Sequence, residues 1–160
     1  MTDNSSSDTS GVKIFPPAVY LAGLIVGYLI WWFWPVSIAP SSMSFAIRVL
    51  GVVALGLGGW LMFSAAGLFS RLGTDISPFE PTTALATDGP YRYSRNPIYL
   101  GMALILGGLA LVGNALWPLL AVIPAVFVIH TQVIAREERY LEVKFGSEYR
   151  DFKARVRRWI

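Results

Sequence analysis

Apolar and polar positions along this chain fall into long blocks rather than a short repeating period. Residues 14–70 carry one charge, Arg48, and residues 96–135 carry none. A helix that crosses a bilayer needs about 20 mostly apolar residues. The blocks therefore predict four spans, at about 14–34, 45–69, 98–113 and 117–135. Tyr28, Trp31, Trp32 and Trp34 gather at the far end of the first span, where aromatic rings sit well at a membrane interface. Pro35 and Pro40 punctuate the first uncharged turn, and Gly113, Asn114 and Pro118 punctuate the last. Residues 1–12 are polar and rich in Ser, Thr and Asp, which predicts a disordered tail ahead of a single membrane domain over 13–160.

Beyond the fourth span the chain turns polar but keeps a helical rhythm. Leu141, Phe145, Tyr149, Phe152, Val156 and Trp159 recur at steps of three and four, opposite a dense charged face. This predicts an amphipathic helix over 136–158 lying on the membrane, with Gly146 placed to interrupt it. Lys and Arg fix the orientation. Lys13, the loop 71–97 and the C-terminal tail hold 12 of the 13 basic residues, and with four spans all three segments share one face. Positive charge favours the cytoplasm, so both termini are expected there. The expected fold is an all-α integral membrane protein of four transmembrane helices with a C-terminal interfacial helix. Gly23, Gly27, Gly51, Gly56, Gly58 and Gly59 allow close helix approach and permit a homodimer face.

Composition narrows the chemistry. There is no cysteine and only one histidine, so thiolate sites, a cysteine nucleophile and a two-histidine zinc helix are excluded, and no metal is expected. The net charge is +3, but the basic residues cluster beside apolar spans. That pattern suits anchoring at an anionic membrane rather than nucleic acid.

Three polar groups share the cytoplasmic face. Arg95, Asn96 and Pro97 fit the start of a helix, with Asn96 as N-cap and Pro97 at the first position. With Arg92 nearby this is either a carboxylate or phosphate receptor or an ordinary cap with two anchoring cations. Glu137 and Glu138, between Arg136 and Arg139, are either a binding pair able to accept the two hydroxyls of a ribose or a solvated charged collar. His130 lies seven residues before Glu137, so on one regular helix the two face nearly the same way. Polar groups inside spans tend to mark function, yet a histidine satisfied by one neighbour fits equally well.

Two runs carry a family resemblance. Residues 85–101 (LATDGPYRYSRNPIYLG) resemble the first signature of the isoprenylcysteine carboxyl methyltransferase and phospholipid methyltransferase family. Residues 137–149 (EERYLEVKFGSEY) resemble its second, and an apolar hairpin separates the two. The resemblance implies an integral membrane enzyme using S-adenosylmethionine, bound between the last two spans and the C-terminal helix. It implies cofactor contacts from Tyr91, Arg92, Arg95, Asn96, Pro97, Tyr99, Gly101, His130, Glu137 and Glu138, with Arg95, Asn96 and Glu138 closest to the chemistry. Asn96 stands where many eukaryotic members carry His, and an amide cannot titrate. The implied reaction is methyl transfer to a lipophilic acceptor, with a carboxyl or thiol favoured because neither needs much help losing a proton. A phospholipid or other amine acceptor is the alternative within the enzyme class. A non-catalytic membrane scaffold or lipid-binding module is the alternative outside it. The expected partners are membrane lipids and a lipophilic small molecule.

Overall fold

Prolines and glycines set the helix ends. The computed structural model describes residues 8–160, which form helices and turns with no strand beyond an isolated bridge pair, Ser37 and Ala115. Helix α1 (Pro16–Phe33) opens on prolines, whose missing N–H is harmless in a first turn, and stops at Trp34 ahead of Pro35. After a 3-10 turn, α2 (Ser44–Leu72) runs 29 residues to Gly73, whose left-handed φ of 64° lets its N–H close on the Phe69 and Ser70 carbonyls. Helix α3 (Pro97–Val112) starts on Pro97.

The last apolar block is segmented. It comprises α4 (Leu116–Leu120), α5 (Val122–Val128), a wide π-helical stretch (Ile129–Ile134) and α6 (Ala135–Phe145). Pro124 has no N–H to give the Leu120 carbonyl, which accounts for the break between α4 and α5. Gly146, at φ 55° and ψ −120°, turns the chain into α7 (Ser147–Arg155).

Glycines let α2 and α3 pack backbone to backbone. A Cβ at Gly58 would lie 2.7 Å from the Gly101 carbonyl oxygen, and one at Gly101 would lie 2.7 Å from that of Gly58. Gly51 and Gly108 repeat the arrangement two turns away, at 2.8 and 2.9 Å. Gly27 does the same for α1, where a Cβ would meet Pro118. Gly56 and Gly59 face open space among the described residues.

The helices run between two ends. At one end the turns are stitched together. The Trp117 indole donates to the Trp34 carbonyl at 2.7 Å, and Asn114 exchanges hydrogen bonds with the Ala39 backbone at 3.0 and 2.9 Å. The other end gathers residues 8–12, the loop 73–96, α6, α7 and the C-terminal segment. Pro16–Phe33, Ser41–Leu72 and Leu116–Phe145 are each long and apolar enough to cross a membrane. Helix α3 is as apolar but has 16 residues, a rise of about 24 Å against a hydrocarbon core of roughly 30 Å.

Two details differ from the sequence reading. The C-terminal helix breaks at Gly146, where the sequence placed an interruption, but its apolar stripe is turned on the protein itself rather than on the membrane. Tyr149 and Phe152 are buried in a cluster with Ala65, Ala86 and Tyr91, with Leu141, Phe145 and Val156 packed against it. The loop supplies an apolar surface that competes with lipid for that stripe. Of the tail expected to be disordered, residues 1–7 lie outside the described residues. Residues 8–12 run along α6: Asp8 pairs with Lys144 at 2.8 Å, the Gly11 carbonyl accepts from Arg136, and Val12 is buried.

Candidate functional site

A cavity opens at the end where the loop, α3, α6 and α7 meet. Its volume is about 100 Å³, several times what a single water needs. Its walls come from the end of α2 (Phe69), the loop (75–78 and 82–86), the start of α3 (Ile98, Tyr99), α6 (Glu137, Glu138, Tyr140, Leu141) and α7 (Tyr149, Phe152), with Ser10 at one edge. Tyr91, Arg95 and Asn96 line it just ahead of α3.

Arg95 is the central group. Its side chain is only 8% exposed, and Nη2 lies 2.9 Å from Glu138 Oε1. Its Nε and Nη1 are buried without a hydrogen-bond partner among the described residues. Buried donors left unmade are costly, and the N–H bonds on these two nitrogens of a cavity-wall guanidinium are left unmade. Glu138 is held from the other side by Arg158, whose Nε donates to Oε1 at 3.0 Å and whose Nη2 donates to Oε2. Its hydrogen bond with Glu138 keeps the Arg158 guanidinium even more firmly protonated than usual.

Glu137 is half-buried, and its Oε1 accepts the Tyr99 hydroxyl at 2.9 Å. Its other oxygen has no hydrogen-bond donor among the described residues and can accept one from a ligand. Burial pushes the Tyr91 hydroxyl well above its ordinary value, so this ring lines the cavity as a neutral group.

The C-terminal segment is tied to the same place. The Arg95 N–H donates to the Arg157 carbonyl at 3.0 Å, and Asn96 Nδ2 donates to the Arg158 carbonyl at 2.9 Å. Asn96 therefore occupies the N-cap position of α3 without capping it. Its side chain makes no bond to the first-turn N–H groups, and the amide instead anchors the chain end.

The structure thus brings Tyr91, Arg95, Asn96, Tyr99, Glu137 and Glu138 to one cavity. It places four other sequence candidates elsewhere. Arg92 is exposed, pairs with Asp88 at 2.7 Å and lines a separate outer groove. Pro97 is buried as the start of α3, and Gly101 faces Gly58. His130 meets Arg158 Nη1 at 2.8 Å and the Trp159 indole at 3.2 Å. A neutral imidazole accepts one hydrogen bond, so it serves one of these donors at a time. The π-helical stretch explains why His130 and Glu137 part company. Its wider turn shifts the phase by about one residue, so the group sharing Arg158 with His130 is Glu138, eight residues on, rather than Glu137.

Sequence reasoning missed Arg158, the loop wall and Tyr149. Arg158 lay hidden among eight basic residues of the tail, and no local spacing tied it to Glu138. The loop 75–86 reads as a polar connector, and its place in the wall depends on tertiary contacts such as Thr82 N–H to the Tyr140 hydroxyl.

Comparison with known proteins bears on this site. No solved structure matches the chain. An uncharacterized protein of Haemophilus influenzae is 52% identical over 65 residues, covering 39% of this chain and 100% of that protein. A family model described as phospholipid methyltransferase matches residues 46–148. That stretch runs from α2 into α7 and contains Arg95, Glu137, Glu138 and most of the cavity wall. The chain belongs to the phospholipid methyltransferase family.

Proposed function

We propose that this protein transfers a methyl group from S-adenosylmethionine to a lipid-soluble acceptor, at a cavity facing the cytoplasm. The observation that carries this reading is Arg95, which belongs to the wall of an otherwise amphipathic cavity and whose Nε and Nη1 are buried without partners. Either nitrogen, each on its own edge of the guanidinium, would donate to the carboxylate of the cofactor's amino-acid end. The open oxygen of Glu137 would accept the ribose hydroxyls, and Ile76, Leu85 and Leu141 offer apolar surface for the base. When bound, S-adenosylmethionine supplies a methyl group activated by a sulfonium. The chain's task is to hold the reactants in line and keep water out. Glu138, saturated by two arginines, orients Arg95, and Asn96 fixes the chain end beside it. Tyr91 and Tyr99 offer ring faces for a cationic ligand.

Four membrane crossings, with the short α3 as one of them, would bring every segment lining the cavity to one side. The bias of the basic residues toward that side favours the cytoplasm. The acceptor would arrive from the bilayer. An outer groove between α2 and the turn Gly89–Arg92 is lined by Trp60, Phe63 and Tyr93.

A carboxyl or thiol acceptor asks little of the protein beyond this. A phospholipid amine is favoured by a separate observation: two carboxylates, Asp75 and Glu137, line the cavity. An ammonium must give up a proton before its nitrogen can act as nucleophile, and with Glu137 engaged by Tyr99 and the ribose, Asp75 is the group that would take it. The test is transfer of labelled methyl from S-adenosylmethionine by protein in vesicles to aminophospholipids, lipophilic acids and lipophilic thiols. The reading expects label in one lipid-soluble class. Label in none, with no cofactor binding, refutes it.

A further inference from the structure

We propose that Arg158, which does not line the cavity, is a positioning residue that gives the Arg95 receptor its net positive charge, and that it thereby selects ligands bearing a carboxylate. This rests on the cofactor reading above.

The argument is one of charge and contact. Arg95 and Glu138 alone would form a neutral pair, with little pull on an anion. In the structure Glu138 serves two guanidinium groups, Nη2 of Arg95 on one side and Nε and Nη2 of Arg158 on the other. One carboxylate against two guanidinium groups leaves a net charge of +1. The Glu138 and Arg95 side chains are each 8% exposed and Arg158 30%, so solvent screens the charge at Arg95 weakly and that of Arg158 in part. Of the two cations only Arg95 reaches the cavity, and its Nε and Nη1 are the groups without partners. Arg158 satisfies the carboxylate, and the surplus charge is presented through Arg95.

Other contacts keep Arg158 in this role. Its Nη1 is turned away onto His130 Nε2 at 2.8 Å, and its carbonyl accepts from Asn96 Nδ2 at 2.9 Å and from Ser94 Oγ. The stacked rings of His130 and Trp159 brace the segment from the apolar side.

The experiment compares two ligands that share a nucleoside and differ at the amino-acid end. S-adenosylhomocysteine carries the carboxylate, and 5′-methylthioadenosine lacks it. Binding of both is measured by calorimetry on the full-length protein in detergent, for wild type, Arg158→Gln, Arg158→Ala and Arg158→Lys. The glutamine keeps hydrogen-bonding capacity without charge and guards against the alanine variant failing to fold. The expected result is an S-adenosylhomocysteine affinity lowered on the order of tenfold in the neutral variants, the scale of one nearby charge in a partly buried site. Lysine should restore most of that loss, and 5′-methylthioadenosine should bind all folded variants alike. Equal weakening of both ligands would overturn the proposal in favour of simple scaffolding, and so would unchanged affinity for S-adenosylhomocysteine in Arg158→Gln. A wild-type protein that binds neither ligand would refute the cofactor reading itself, and this proposal with it.

Discussion

Replacing Gly58 by alanine tests whether the backbone contact of α2 with α3 positions the site. The added Cβ would sit 2.7 Å from the Gly101 carbonyl oxygen and 2.9 Å from Ile105 Cγ1, where 3.4–4 Å is ordinary contact. A carbonyl within a helix cannot rotate away, so the helices must separate by several tenths of an ångström. Overpacking of this kind costs about 1–3 kcal/mol. Alanine also raises helix propensity by up to about 1 kcal/mol, which would blur a comparison with wild type. Gly59→Ala removes that ambiguity. It gains the same propensity on the same helix, and nothing lies within 4 Å of its Cβ. The difference between the two variants isolates the contact, and at this chain length it corresponds to a gap of roughly 3–10 °C in unfolding temperature. Thermal unfolding in one detergent measures it. S-adenosylhomocysteine affinity should fall in Gly58→Ala as well, because α3 carries Tyr99 and follows directly from Arg95 and Asn96. Matching unfolding temperatures for the two variants would refute the reasoning.

Two further outcomes follow from the site and its surroundings. Glu137→Gln should weaken S-adenosylhomocysteine and 5′-methylthioadenosine alike, by about three- to tenfold, because the proposed ribose contact is common to both; calorimetry that finds only the first weakened would move Glu137 out of that role. The hydrogen bond from Lys144 holds the Asp8 carboxyl below its ordinary value of 3.8. A lowered folded value contributes stability above the ordinary value and loses it as pH falls through the lowered one. An NMR titration should therefore give Asp8 a midpoint below 3.8, while Asp8→Asn at neutral pH shifts the unfolding temperature by less than about 1 °C, since the pair is exposed.

Much of this architecture is legible in the sequence because it follows from solvent. Long uncharged blocks have few options besides helices in lipid, and proline and glycine mark where these end. The glycines were visible too, but which of them touch a neighbour was not. Gly51 and Gly58 face α3 while Gly56 and Gly59 face open space, and a helix hydrophobic all round carries no periodic signal of its buried side. The polar clusters at 91–99 and 137–138 pointed to the cavity because they lie where apolar spans meet charged segments. The partners that give them meaning are non-local: Arg158 reaches Glu138 from 20 residues on, and Asn96 is anchored 62 residues away. A regular-helix reading paired His130 with Glu137, and the π-helical stretch, which no residue pattern announced, shifted that partnership to Glu138. The C-terminal stripe was visible as amphipathic, but the loop that covers it has no periodicity to predict it.

The central claim is that Arg95 is a receptor for the carboxylate of the methyl donor. The most direct measurement is calorimetric titration of S-adenosylhomocysteine into the wild-type protein and Arg95→Ala, with unfolding temperatures recorded for both. Saturable binding to wild type and an affinity at least about tenfold weaker in a folded Arg95→Ala is the predicted result. No binding to wild type, or equal affinity in the variant, would contradict it.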